Sequence, residues 1–199
     1  MRLILASGSQ RRRELLKMCG YDYETIVSNA DEHTDEKDPE KLVRILSERK
    51  AEEVYNRLIC EGEAASNLAV LGSDTVVSFK DEIIGKPRDC EDAERILTLL
   101  SGNTHTVHTG VALATGRGVR TECSTTRVTF SELTKDEIRA YIASGEPLDK
   151  AGAYGIQGPF GMFVEKVEGN YFTVIGMPLP IMYRMLRDEG IIPTMRRQG

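Results

Sequence analysis

Apolar positions along the chain come in short blocks, some with the two-residue alternation of a strand and some with the wider spacing of a helix stripe. LILA at 3–6 predicts a short buried strand. A helix over 10–18 follows, with Ser9 placed to cap its start and Gly20 suited to its end because glycine accepts positive φ. YDYETIV at 21–27 alternates like a half-exposed strand. Asp38 and Pro39 open a long helix to about Leu58, with Leu42, Val43, Leu46 and Val54 on its apolar stripe. LAVLGSDTVVSF at 68–79 is apolar enough for a buried strand, interrupted at Gly72-Ser73-Asp74, and 79–85 reads as a hairpin.

Further along, a helix over 91–100 precedes two long strands, 104–115 and 119–130, joined by the turn Thr115-Gly116-Arg117-Gly118. Thr134 and Glu137 have capping-box spacing for a helix to about Ser144. Gly152, Gly155, Gly158 and Gly161 make 150–161 too irregular for either regular element. Strands near 162–168 and 171–175 flank Gly169-Asn170, and a last helix runs from about Pro178 to Glu189. Without regular βαβα alternation, the order predicts a mixed α/β fold with a central twisted sheet and helices around it. At 199 residues, with no repeat or linker, one domain over 1–199 is expected.

Composition narrows the partners. Lys and Arg total 26 against 31 Asp and Glu, a net charge of −5, which argues against coating nucleic acid or an anionic membrane. No apolar run approaches the ~20 residues that span a bilayer. SQRRRELLK resembles a twin-arginine signal but lacks the apolar stretch behind it. Cys19, Cys60, Cys90 and Cys123 are scattered with no CxxC pair, as expected of reduced thiols in a cytoplasmic protein.

Four places have residue types suited to chemistry. Ser7-Gly8-Ser9-Gln10-Arg11-Arg12-Arg13 lies between a strand and a helix, where backbone N–H groups, hydroxyls and guanidinium groups make an anion cradle. Successive helical residues diverge by about 100°, so at most two of the three arginines face one ligand. A capped surface helix with a charged face accounts for the same residues. A dinucleotide-type GxGxxG fails because Arg13 stands where its last glycine belongs.

Asp74 sits in an otherwise apolar strand, so its carboxylate must be paired or held at a cleft, where it can take a proton from water or bind a cation; capping a turn is the plainer role. Gly85-Lys86-Pro87 is no P-loop, with Lys80 and Pro87 at the diagnostic positions, yet Lys86 suits a phosphate as a point charge. The glycines of 150–158 point to close backbone approach, and Gln157 has the donor and acceptor needed to read a base edge. The acidic run 31–40 is mostly solvated, with Glu32 near enough a strand end to reach the site. His33, His105 and His108 read as structural or exposed; the last two, three apart in a strand, face opposite sides.

Taken in order, LASGSQRRRELL, Asp31-Glu32, LSERKAEEV, LGSDTVV, IIGKPRD, LLSGNTHTVHTGVAL, EPLDKAGAYGIQG, FVEKVEGNY and IGMPLP resemble the Maf family of nucleoside triphosphate pyrophosphatases, also called septum formation proteins. The resemblance implies a Maf/ITPase-like α/β fold with an elongated central mixed sheet, two lobes around a cleft and a homodimer. It also implies hydrolysis of a nucleoside triphosphate to monophosphate and diphosphate with a divalent cation, Mg²⁺ or Mn²⁺. Asp74 matches the family's catalytic or metal-associated carboxylate and Glu32 its second acidic position. Ser7, Arg11, Arg12, Lys50 and Lys86 match phosphate-binding positions. Arg12, Thr75 and Gln157 match those marking the branch that prefers dTTP and UTP.

Two departures stand out: Gln10 replaces a usual proline, and Phe172-Thr173 a common Ser-Asn pair. The expectation is a cytoplasmic house-cleaning enzyme for nucleotide pools, with a role in cell division arrest in keeping with the family's other name. The alternatives are a non-catalytic nucleotide-binding regulator of septum formation and a pyrophosphatase for other modified nucleotides.

Overall fold

The computed structural model describes residues 1–80 and 82–194. The elements in chain order are β1 (Arg2–Leu5), α1 (Gln10–Met18), β2 (Glu24–Thr25), α2 (Pro39–Cys60), β3 (Leu68–Phe79), β4 (Glu82–Ile84), α3 (Cys90–Leu100), β5 (Thr104–Thr115), β6 (Gly118–Phe130), α4 (Lys135–Ala143), β7 (Val164–Glu168), α5 (Tyr171–Ile175) and α6 (Leu179–Asp188). The strands form one mixed sheet in the order β2-β1-β3-β5-β6-β7, with β4 paired to β3. Helices and a mixed sheet make the fold α/β, as the sequence predicts.

The chain divides into two compact units. The first comprises Met1–Asp74, Thr109–Ser124 and the segment from Gly176. Here β1 runs parallel to both β2 and β3, with Leu3 opposite Ala69 and Ile4 opposite Val70. Ile4, Ala6, Leu68, Val70, Ala112 and Ala114 pack with Ala51, Val54 and Leu58 of α2 in a wholly buried cluster. Side chains at every second strand position face one side, which is why Leu68 and Val70 both reach α2. The start of α2 is fixed by Asp38, whose carboxylate accepts from the Glu40 and Lys41 N–H groups, ahead of Pro39 at the first turn.

The second unit comprises Thr75–His108 and Thr125–Ile175. The end of β3 pairs antiparallel with β4, Val77 opposite Ile84; Asp81, within the predicted hairpin, lies outside the described residues. β6 pairs antiparallel with β7. Val77, Phe79, Ile96, Leu97, Leu100, Val107 and Val128 build an apolar core with an aromatic centre, in which the Phe130 ring meets His105, Tyr154 and Phe160 at 4.6–4.8 Å. Edge-on packing at this spacing lets ring edges meet ring faces. α4 carries the predicted capping box between Thr134 and Glu137.

Four local expectations change. β3 continues unbroken through Gly72-Ser73-Asp74, between its pairing with β1 over Leu68–Leu71 and with β4 over Val77–Phe79, with β5 as its other neighbour in the sheet. Only Glu24–Thr25 of 21–27 is strand, since β1 offers it just two paired positions. Residues 171–175 are helical: the Asn170 side chain accepts from the Phe172 N–H and its carbonyl from the Thr173 N–H, starting a turn where β propensity favoured a strand. Ser9 occupies the position before α1, but its hydroxyl does not cap the helix.

Candidate active site

The carboxylate in β3 is reached from α2. A Cβ on Gly72 would lie 2.3 Å from the Ser47 carbonyl oxygen, and one on Gly110 of β5 would lie 2.1 Å from that of Val43. Glycine at both positions therefore lets the α2 backbone rest directly on the sheet. Asp74, two residues beyond Gly72, faces the same side, and Lys50 stands one turn beyond Ser47 on the helix. The outcome is a short ion pair, Lys50 Nζ to Asp74 Oδ1 at 2.5 Å, with both side chains largely buried.

Glu32 comes to the same ammonium group, 3.0 Å from Lys50 Nζ. Its loop is pinned by Arg49, which donates to the carbonyls of Asp31 and His33 at 3.1 and 2.8 Å. The Asp31 carboxylate also accepts from the His33 N–H. One cation thus joins two carboxylates that are 42 positions apart in the chain. Of the two placements the sequence allows for Asp74, paired or held at a cleft, the structure shows the pairing. The pair is stable only because each charge compensates the other where water is scarce.

The segment after β1 supplies the cationic side. Ser7 is buried, and its Oγ accepts from the Ser9 N–H at 3.1 Å and lies 3.3 Å from Arg12 Nη1. Arg12 Nε donates to the Gly176 carbonyl at 2.8 Å; Ser73 Oγ is 2.9 Å from that oxygen and from the Gly110 carbonyl. Burial pulls the Arg12 guanidinium below its ordinary pKa, Asp74 and Glu32 oppose the fall, and Arg11 adds to it. Arg12 keeps its charge throughout, because arginine starts so high. Arg13 turns to Gln10 Oε1 on the exposed side of α1, the third arginine that cannot share the ligand face.

The remaining predicted residues belong to the second unit. Thr75 follows Asp74 along β3 and is half-buried, its side chain on the opposite face. Lys86 is exposed on the short loop after β4, with no ion pair among the described residues. Gln157 is exposed in a run of short 3₁₀ turns spanning Glu146–Asp149, Ala151–Ala153 and Pro159–Phe163, and among the described residues its amide makes no hydrogen bond.

Those turns are anchored at several points. The Gly152 N–H donates to the Gly85 carbonyl at 3.0 Å, tying the Gln157 loop to the Lys86 loop. The Gly155 N–H donates to Tyr141 Oη, and the Tyr154 hydroxyl lies 3.0 Å from His105 Nε2. Burial lowers the His105 pKa to about 4 and raises that of Tyr154, so both stay neutral. His108 is held between Ser78 Oγ and Thr125 Oγ1. The sequence assigns no role to Arg49, Gly176 or Tyr141, and names Ser73 and Lys150 only as members of the segments around Asp74 and Gln157. Only the odd placement of a serine and glycine in apolar surroundings marks Ser73 and Gly176; the others have no local signal.

The four cysteines are free thiols, and no described helix is long and apolar enough to cross a membrane. The chain is 41% identical, over 194 residues and 95% of each protein, to a protein of Lachnoclostridium phytofermentans named dTTP/UTP pyrophosphatase. A Bacillus thuringiensis subsp. konkukian protein of the same name is 44% identical over 97% of this chain and 98% of its own length. The Ham1 protein of Staphylococcus aureus superposes on 95% of this chain and 100% of its own with a TM-score of 0.51; at 13% identity the likeness concerns the fold. A family model described as Maf-like protein matches residues 2–189. With a match over nearly its whole length, the chain belongs to the Maf-like protein family.

Proposed function

We propose that this protein is a dTTP/UTP pyrophosphatase, cutting the nucleoside triphosphate between the α and β phosphates to release monophosphate and diphosphate. The observation that carries the reading is the convergence of Asp74 and Glu32 on Lys50, within electrostatic reach of Arg12. The relatives' names supply the nucleotide, and by the family resemblance Arg12, Thr75 and Gln157 match the positions that mark the branch taking pyrimidines.

Phosphoryl transfer depends on in-line geometry and neutralised charge. The triphosphate carries about four negative charges, so a protein of net charge −5 must gather its cations locally. Arg11, Arg12 and Lys50 serve this purpose, with Ser7 as a neutral hydroxyl partner; by the family resemblance Lys86 matches a further phosphate-binding position. Asp74 accepts the proton of the water that attacks the α phosphorus; the P–O bond to the β phosphate breaks and the diphosphate takes the electron pair. Lys50 holds the Asp74 carboxylate in place through their ion pair until substrate arrives. Gln157 donates to and accepts from the edge of a uracil or thymine ring.

A divalent cation, Mg²⁺ or Mn²⁺, fits this donor set. Hard cations take oxygen ligands, and Mg²⁺ is commonly held by one or two carboxylates together with substrate phosphates. Asp74 and Glu32 would hold it, and it would supply neutralisation of the phosphate charge. The enzyme acts in the cytoplasm as a homodimer, an assembly taken from the family likeness, and binds neither nucleic acid nor membrane, in line with its charge.

The test is diphosphate release from dTTP, UTP, dCTP and dGTP with Mg²⁺ or Mn²⁺. Rapid turnover of dTTP and UTP, lost on chelation and restored by either ion, is expected. Binding without release would identify a nucleotide-sensing protein instead.

A further inference from the structure

Glu146 lies outside the catalytic grouping, yet its carboxylate occupies the inner side of the turn that presents Gln157. A Cβ built on Gly155 would fall 2.5 Å from Glu146 Oε1, and one on Gly158 would fall 2.2 and 2.7 Å from its two oxygens. Neither glycine has positive φ, so space rather than backbone conformation demands glycine there. The turn closes on itself, the Gly158 N–H donating to the Gly155 carbonyl at 3.2 Å, with Ile156 and Gln157 between. Gln157 is therefore at the outer corner of a turn whose inner side rests on one carboxylate.

That carboxylate is seated from below by Lys150. The Lys150 ammonium is buried and donates to the Glu146 carbonyl at 2.7 Å and to Asp149 Oδ1 at 2.6 Å, while staying 4.0 Å from Glu146 Oε1. Its alkyl chain also fills the space beside Gly155, with Cε 2.8 Å from where a Cβ would be. Among the described residues the Glu146 carboxylate accepts no hydrogen bond; the ammonium at 4.0 Å is its one ion-pair partner. A carboxylate so placed contributes bulk and position more than bonding.

We propose that Glu146, seated by Lys150, is a positioning residue for nucleotide selectivity: it wedges the Gly155–Gly158 turn outward and so fixes where the Gln157 amide meets the base. The inference deepens the proposed function and rests on its assignment of Gln157 as the base-reading group. A wedge of this kind acts on substrate choice and leaves bond cleavage alone. Removing it lets the turn sink into the vacated space and moves the amide away from its partner.

The experiment measures kcat and KM for dTTP, UTP, dCTP and dGTP in the full-length wild type, Glu146→Ala, Glu146→Gln, Gly158→Ala and the Glu146→Ala/Gly158→Ala double variant, with Gln157→Glu alongside and a thermal midpoint for each. Glu146→Ala is expected to lose about tenfold in preference for dTTP over dCTP, through a raised KM for dTTP with kcat little changed. Gly158→Ala, whose new methyl contests the carboxylate's place, should lose a similar amount. Combining the two should recover much of the preference, because the methyl then fills what the carboxylate left, and coupling of this sign is the mark of shared space. Glu146→Gln, with nearly the same volume, should keep it.

Unchanged preference in Glu146→Ala beside a lost preference in Gln157→Glu would overturn the wedge alone. A fall in kcat shared by all nucleotides, or simply additive losses in the double variant, would overturn it too. No dTTP turnover by the wild type would overturn the functional reading and the wedge together. If Glu146→Ala proves unfolded at the assay temperature, lost preference in folded Gly158→Ala with retention in Glu146→Gln supports the wedge, and any other pairing rejects it.

Discussion

In the first unit Asp74 stands on β3, Lys50 on a 22-residue helix and Arg12 on the first turns of α1, and only Glu32 comes from a loop. In the second, Lys86 and Gln157 stand on loops whose side chains reach solvent, above a core of interlocked rings. The difference matches two tasks. Aligning water, phosphorus and leaving group tolerates little movement, and a strand with a helix resting directly on it supplies that rigidity. Distinguishing one base from another depends on a few donors and acceptors at an adjustable edge, which loops on a firm base provide.

The strongest discrimination comes from Asp74→Asn. Removing the proposed proton acceptor while keeping the shape should lower kcat by about a hundredfold or more on every nucleotide. Near wild-type diphosphate release would take Asp74 out of the chemistry and leave only its ion pair with Lys50. Next in size is Gly72→Ala. Its methyl meets the Ser47 carbonyl at 2.3 Å, so α2 must lift, at a cost of about 1–3 kcal/mol. The lift also draws Lys50 from Asp74, so activity should fall further than stability alone explains. Gly85→Ala, beside Lys86, meets nothing within 4 Å. Its urea midpoint should match the wild type, and equal losses in the two variants would erase the contrast between rigid and open regions.

The contrast also explains what could be read in the sequence. Elements with strong periodic patterns and caps were legible: α2 with its Asp38 cap, the capping box of α4 and the long strands β5 and β6. Failures came where neighbours overruled local preference. Gly72-Ser73-Asp74 resembles a break but continues as strand, and 171–175 resembles a strand but is turned by the Asn170 side chain. Asp74 was conspicuous because a carboxylate in an apolar run needs a partner. That the partner is Lys50, and that Glu32 joins it, depends on two glycines letting a helix settle onto the sheet, which one-dimensional spacing does not encode. Glu146 and Lys150 were silent for the same reason: their role appears only where the chain folds back on the glycines they support.

Gln157→Glu tests the loop side of the contrast. A carboxylate has no N–H to donate, so kcat/KM for dTTP and UTP should drop about tenfold, the value of roughly one hydrogen bond to a polar partner. Purine nucleotides should change less and the thermal midpoint should barely move. Equal losses on all four substrates would mean that Gln157 does not read the base, and the second unit would then contribute charge alone.

The smallest effect concerns the ring core beneath that loop. His105 is buried against Phe130 and Tyr154, and burial lowers its pKa from 6.5 to about 4. Above pH 6.5 the ring is neutral whether the chain is folded or not, and it adds nothing to the pH dependence. Between 6.5 and about 4 the unfolded chain takes up a proton that the folded chain refuses, so stability falls as the medium becomes acidic, then levels off below that range. At pH 5.5 this one residue should cost about 1 kcal/mol relative to neutral pH. His105→Gln keeps a polar partner for the Tyr154 hydroxyl but cannot titrate. Urea unfolding at pH 7.5 and 5.5 should show that difference shrinking by about 1 kcal/mol in the variant. An unchanged difference would mean that the ring already gains its proton in the folded state, and that the base under the Gln157 loop is wetter and softer than its packing implies.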